Sequence, residues 1–114
     1  MFFLLLGFAP LLGVQEIAAS AESEACGKEI DLIDKQIIKL EQQKKIHQDL
    51  ARKYQKQGDE WKYHSGSIHD AYAYWGRAAE ERKKAIDFQN QVDVLLERRS
   101  RIIQFYPELY KPAP

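Results

Sequence analysis

The stretch Ile30-Asp31-Leu32-Ile33-Asp34-Lys35-Gln36-Ile37-Ile38-Lys39-Leu40 decides the fold. Ile30, Ile33, Ile37 and Leu40 follow a 3-4-3 spacing, which lines them along one side of an α-helix. Outward from this stretch, Cys26 to Gln57 holds no proline and no glycine except Gly27, and is rich in good helix formers. The pattern predicts a helix over about 26–57. Extending its register reaches Lys44, His47, Ala51 and Tyr54, while Ile46, Leu50 and Tyr54 form a second set on a neighbouring face. The apolar stripe is therefore expected to drift around the helix near Lys44, as it does where a heptad pattern is interrupted.

Gly58 and His64-Ser65-Gly66-Ser67 punctuate the chain and predict a turn over about 58–67. Ser67 followed by Asp70 resembles a capping box, with Asp in place of the usual Glu or Gln. A second helix is predicted over about 68–106. Ile68, Ala71, Trp75, Ala78, Ala85, Val92, Leu95, Ile102 and Tyr106 lie near a 3.5-residue spacing, broken by Arg82 and Arg99. Gly76 costs roughly 1 kcal/mol relative to alanine, which a long helix tolerates. Pro107 ends the helix, because the residue before a proline is pushed out of α geometry. The tail Lys111-Pro112-Ala113-Pro114 reads as irregular.

Two helices of about 45 and 58 Å joined by a short linker fold back on each other. The expected architecture is all-α: an antiparallel two-helix, coiled-coil-like hairpin over 22–114. A bend near Ser65 sets Ile33 against Leu96, Ile37 against Val92 and Tyr54 against Trp75. It also sets His47 opposite Arg82 and Leu40 near Gln89, a polar waist between two apolar ends. A lone hairpin buries one stripe per helix, so a four-helix bundle or an elongated dimer is expected. Ile102, Ile103, Phe105, Tyr106, Leu109 and Tyr110 outrun the first helix and need the start of helix one, or another chain, to cover them.

Before the hairpin, Phe2 to Val14 is an apolar run broken only by Gly7, Pro10 and Gly13. That length suits the core of a secretory signal and falls short of a membrane span. Ala19-Ser20-Ala21 supplies small residues for cleavage, so residues 1–21 are read as a cleaved signal peptide with a mature start at Glu22. No Lys or Arg precedes the run, and Glu16 follows it, two departures from the usual pattern. Cys26 follows Ser23-Glu24-Ala25, far from the apolar run, and does not form a lipobox. As the only cysteine, it cannot form an intramolecular disulfide, and an intermolecular one is its alternative to a free thiol.

With 17 basic and 17 acidic side chains the chain has no large single-sign field, which argues against nucleic acid as a partner. No phosphate loop, nucleophile elbow, HExxH or CxxC motif occurs, so no catalytic residue, metal site or cofactor is assigned. His64 and His69 are five apart across the turn, and with Asp70 they read as surface and capping residues rather than metal ligands. His47 reads as a seam or flanking residue. Glu80–Lys84 and Glu97–Arg101 read as i, i+4 pairs on a solvated face.

The turn is aromatic, with Trp61, Tyr63, Tyr72, Tyr74 and Trp75; of these, Tyr72 and Trp75 are expected in the seam and Tyr74 on another face. Such residues either plug the open end of the hairpin or form a contact patch. Trp61, Tyr63, Tyr74, Phe105, Tyr106 and Tyr110 are the candidate partner contacts. The resulting expectation is an exported (periplasmic or secreted), non-enzymatic interaction or assembly protein that self-associates or binds another protein. Two alternatives are a membrane-tethered accessory subunit that keeps residues 2–14 as an anchor, and a small holdase-type chaperone.

Overall fold

A computed structural model describes residues 2–114, with side chains placed from Ala21 onward. Two long helices, α1 (Phe2–Glu60) and α2 (Ile68–Phe105), pack against each other as the expected all-α antiparallel hairpin. A π-helical turn, Trp61–Ser65, prolongs α1, and one 3-10 turn, Pro107–Leu109, follows α2. Of the proposed signal peptide, residues 1–21, all but Ala21 lie outside the residues whose side chains are described.

The heptad register that starts in the Ile30–Leu40 stretch runs without a break to Gly58. Ile30, Ile33 and Ile37 are buried, Leu40, Lys44, His47 and Tyr54 are half-buried, and Ala51 and Gly58 are buried again. On α2, Ala71, Ala78, Ala85, Val92 and Arg99 fall at every seventh position and are all buried. Ile33, Ile37 and Val92 form the apolar cluster, flanked by Leu40, Leu95, Leu96 and Ile102. The expected pairs Ile33–Leu96 and Ile37–Val92 both fall within it.

The expected drift of the stripe does not occur. Ile46 is exposed, and Lys44 and His47 keep the seam positions because α2 offers them polar partners. Tyr72 and Ile68 also leave the seam: both are exposed, and half-buried Tyr74 takes the position expected for Tyr72. Towards the turn the buried positions hold alanine and glycine in place of isoleucine and valine.

The turn is shorter than the 58–67 expected. Gly58 is a helical residue, and its glycine identity serves packing: a Cβ there would lie 2.4 Å from Trp75 Cδ1 and 3.1 Å from the Ala71 carbonyl oxygen. The reversal falls at Gly66, which has φ 70°, the left-handed conformation that favours glycine. The Trp61 carbonyl accepts from the backbone N–H groups of both Gly66 and Ser67, the latter at 3.1 Å. Ser67 then caps α2. Its Oγ accepts from Asp70 N at 3.4 Å and donates to Asp70 Oδ2 at 2.7 Å. In a full capping box the acid reaches the backbone N–H of the cap residue; here that N–H is already committed to Trp61.

The tail Lys111-Pro112-Ala113-Pro114 has no regular secondary structure, as expected, but the segment leading into it is anchored. After Pro107 the chain turns back over the start of the hairpin. Leu109 packs beside Gly27, Ser23 Oγ donates to Glu108 Oε1 at 2.9 Å, and Tyr106 Oη donates to Glu22 Oε2 at 3.2 Å. This covers part of the apolar end of α2 without a second chain.

Candidate functional site

Three places hold side chains that could do chemistry or make contacts: a polar layer in the seam, the aromatic tip and the clasped base.

The polar layer occupies the middle of the hairpin. Lys44 Nζ donates to Gln89 Oε1 at 2.7 Å and pairs with Glu41 Oε2 at 2.6 Å. His47 Nδ1 bonds Glu81 Oε2, and its ring stacks on Phe88 with centroids 5.4 Å apart. Lys84 Nζ reaches Glu81 Oε1 at 3.2 Å. The hydrogen bond from His47 holds the Glu81 carboxyl below the usual range against the opposing effect of burial, and Lys84 adds to it. The waist therefore exists with different partners from those expected. Glu81, not Arg82, meets His47; Arg82 donates to Gln55 Oε1 at 2.7 Å, and Gln89 serves Lys44 while Leu40 joins the apolar cluster. The expected Glu80–Lys84 pair is replaced by Glu81–Lys84, because Glu81 lies at the seam, where it meets both Lys84 and His47. Glu97–Arg101 forms as expected at 2.5 Å.

At the tip, Trp75 lies over Gly58 and donates from Nε1 to Asp59 Oδ1 at 3.0 Å. Only Trp75 closes the end of the hairpin. Tyr63 is 70% exposed, Trp61 is exposed at its side, and Lys62 Nζ lies 4.9 Å from the Tyr63 ring and 5.6 Å from the Trp75 ring. Tyr74 is half-buried at a seam position, where Arg77 stacks between it and Tyr54, at 5.3 and 6.0 Å. It is spent on the hairpin rather than presented outward. His64 and His69 are exposed, and Asp70 is occupied by Ser67. Among the described residues no group of three or more His, Cys, Asp or Glu side chains is placed to hold a metal ion.

At the base, Arg99 is only 5% exposed. Its Nε donates to Asp34 Oδ1 at 2.7 Å, and its Nη2 donates to the carbonyls of Lys111 and Pro112 at 2.9 and 3.2 Å. Lys111 Nζ in turn sits 2.6 Å from Asp31 Oδ1 and 3.4 Å from Asp34 Oδ2. The hydrogen bond and charge of Lys111 hold the Asp31 carboxyl low, and Asp31 and Asp34 hold the Lys111 ammonium high. Arg98 pairs with Glu29 on the adjoining flank. Arg99, read from sequence as an interruption, is thus the centre of a clasp. Asp31 and Asp34, three apart on one helix face, were its only local signal. Phe105 is 82% exposed and Tyr110 is also exposed, whereas Tyr106 is half-buried with its hydroxyl committed to Glu22. Burial and that bond push the Tyr106 phenol up. Cys26, half-buried nearby, is a free thiol.

The candidate contacts therefore fall into two groups at opposite ends, Trp61 and Tyr63 at the tip and Phe105 and Tyr110 at the base. No helix among the described residues is long and apolar enough to cross a membrane. No family model, curated protein or solved structure matches the chain.

Proposed function

We propose that this chain is an exported, non-enzymatic interaction protein, a rigid helical spacer that presents aromatic side chains at its two ends. The observation that carries the reading is the exposure of Tyr63 and Phe105 on firmly built ends, where the side chains beside them are committed to the hairpin. Exposed aromatics on a preorganised scaffold lose little freedom on binding, and Trp and Tyr are enriched among interface hot spots. The apolar run Phe2–Val14 and the small residues Ala19 and Ala21 support the export part.

The test is photo-crosslinking in the native host with a reactive amino acid placed at Tyr63, at Phe105 or, as a control, at exposed Gln42. A discrete protein adduct from either end and none from Gln42 is the expected result. Absence of adducts from both ends rejects the contact reading. Mass measurement of the native N-terminus tests export separately: a chain that begins at Glu22 fits a removed signal, and a retained Met1 points to the membrane-tethered alternative.

A further inference from the structure

The flank of the hairpin that carries the tail is a groove with two differently charged reaches. In the lower reach Leu109 packs beside Gly27, Lys111 sits on Asp31 and Asp34, and Arg99 donates to the main-chain carbonyls of Lys111 and Pro112. The tail then follows α1 to a stretch lined by Ile38, Glu41, Lys45, Gln48 and Arg52, where Pro114 lies. Beyond it opens a further stretch of about 520 Å³ over buried Ala51, lined by Gln48, Arg52, Gln55, Lys56, Asp59 and Arg82. Gln48 and Arg52 belong to both stretches, so the upper reach continues the path of the tail.

The upper reach is cationic. Lys44, Lys45, Arg52, Lys56 and Arg82 line it against two carboxylates, Glu41 and Asp59. Both carboxylates are engaged: Glu41 holds Lys44 at 2.6 Å, and Asp59 accepts from Gln55 Nε2 at 3.2 Å and from Trp75 Nε1 at 3.0 Å. Arg52 pairs with Asp49 on its own helix. Lys45, Lys56 and Arg82 pair with no carboxylate among the described residues. Arg82 is positioned all the same. Its Nη2 donates to Gln55 Oε1 at 2.7 Å, and Asp59 fixes Gln55 in turn. An amide thus steers this guanidinium without neutralising it, whereas Arg98, Arg99 and Arg101 each meet a carboxylate. In a chain of zero net charge, positive charge is gathered along one groove with one cation already set in place.

A guanidinium fork suits carboxylate and phosphate alike. The lower reach favours a polypeptide, because the groove there already holds an extended one through a side-chain ion pair and an arginine beside the main chain. With the wall charges inverted, the matching chain carries Asp or Glu where the tail carries Lys111. We propose that the reach between Lys45, Lys56 and Arg82 is a docking site for an extended, acidic segment of a partner protein. The site lies on the shaft and shares no residue with Trp61, Tyr63 or Phe105, so its success or failure is independent of the end-contact reading.

The experiment is fluorescence anisotropy of a labelled oligoglutamate peptide titrated with the full chain at low ionic strength, each variant being checked for unchanged helicity by circular dichroism. The expected result is saturable binding of oligoglutamate and none of oligolysine. Arg82→Gln or Lys56→Gln should weaken it at least about fivefold, while Lys53→Gln, an exposed lysine outside the groove, should leave it unchanged. Gln55→Leu keeps every cation but frees Arg82, so it should weaken binding too, which plain charge attraction would not predict. Should Gln55→Leu lose helicity, Arg82→Lys replaces it, keeping the charge and losing the fork. Absence of saturable binding, an equal loss in Lys53→Gln, or full affinity in the variant that keeps the charge overturns the proposal. Displacement by tripolyphosphate as effective as that by unlabelled oligoglutamate of equal total charge also overturns it, because the site would then read bare anions rather than an acidic chain.

Discussion

Gly58 has no room for even one more carbon. In Gly58→Ala the added methyl would meet the Trp75 indole and the Ala71 carbonyl, so the gain in helix propensity is outweighed. The variant should lose about 1–2 kcal/mol of stability, read from a denaturant titration; an unchanged midpoint would mean that the indole simply moves aside. Gly76→Ala reverses the sign in a monomer, because nothing lies near its Cβ, and should gain up to about 1 kcal/mol. Arg99 shows the opposite problem, a charge that is buried but fully partnered. Arg99→Ala strips Asp34 of its closest cation and leaves two tail carbonyls without a donor, a loss of about 3 kcal/mol. Hydrogen exchange should rise first in residues 108–114, ahead of the helices.

Each element is held by a device that local sequence shows in part. The Ile30–Leu40 spacing is a strong helical signal, and it named the right face of α1 and the right partners in Val92 and Leu96. The same method reached Lys44 and His47 and expected a polar waist, but it let the stripe drift at Lys44 and set His47 against Arg82, because periodicity weighs apolarity and cannot see Gln89 and Glu81 arriving from the other helix. Gly58 was taken for a turn residue for a related reason: a glycine that admits a distant indole looks the same in sequence as one that breaks a helix. The clasp at Arg99 was legible only in Asp31 and Asp34, since two of its three acceptors lie in a tail of two prolines with no periodic pattern. The Ser67 cap was legible and is testable. Ser67→Ala should cost α2 about 1 kcal/mol, and Ser67→Asp should restore most of it by keeping an acceptor for Asp70 N.

Across the whole molecule, pH acts on the base and on the waist of the seam. Asp31 and Glu81 have carboxyls held below the usual range in the folded state, so their contribution is present above the ordinary carboxylate value. It is lost as pH falls through their lowered folded values. Lys111 is held high, so its contribution is full below the ordinary lysine value and disappears as pH rises through the raised one. Stability should therefore show a broad plateau at neutral pH, with the tail released first on the alkaline side and both tail and waist weakened in acid. Asp31→Asn should flatten the acid limb and Lys111→Met the alkaline one; thermal melts across pH that leave both limbs intact would reject this account.

The indole wedged over Gly58 also makes the hairpin a sensor of its own closure. Trp75 is shielded only while the two rods are zipped, and Trp61 is the sole other tryptophan. In a Trp61→Phe chain, every photon of indole emission reports one joint. Opening of the zipper near the bend should shift that light to the red and expose it to acrylamide, without any dye attached.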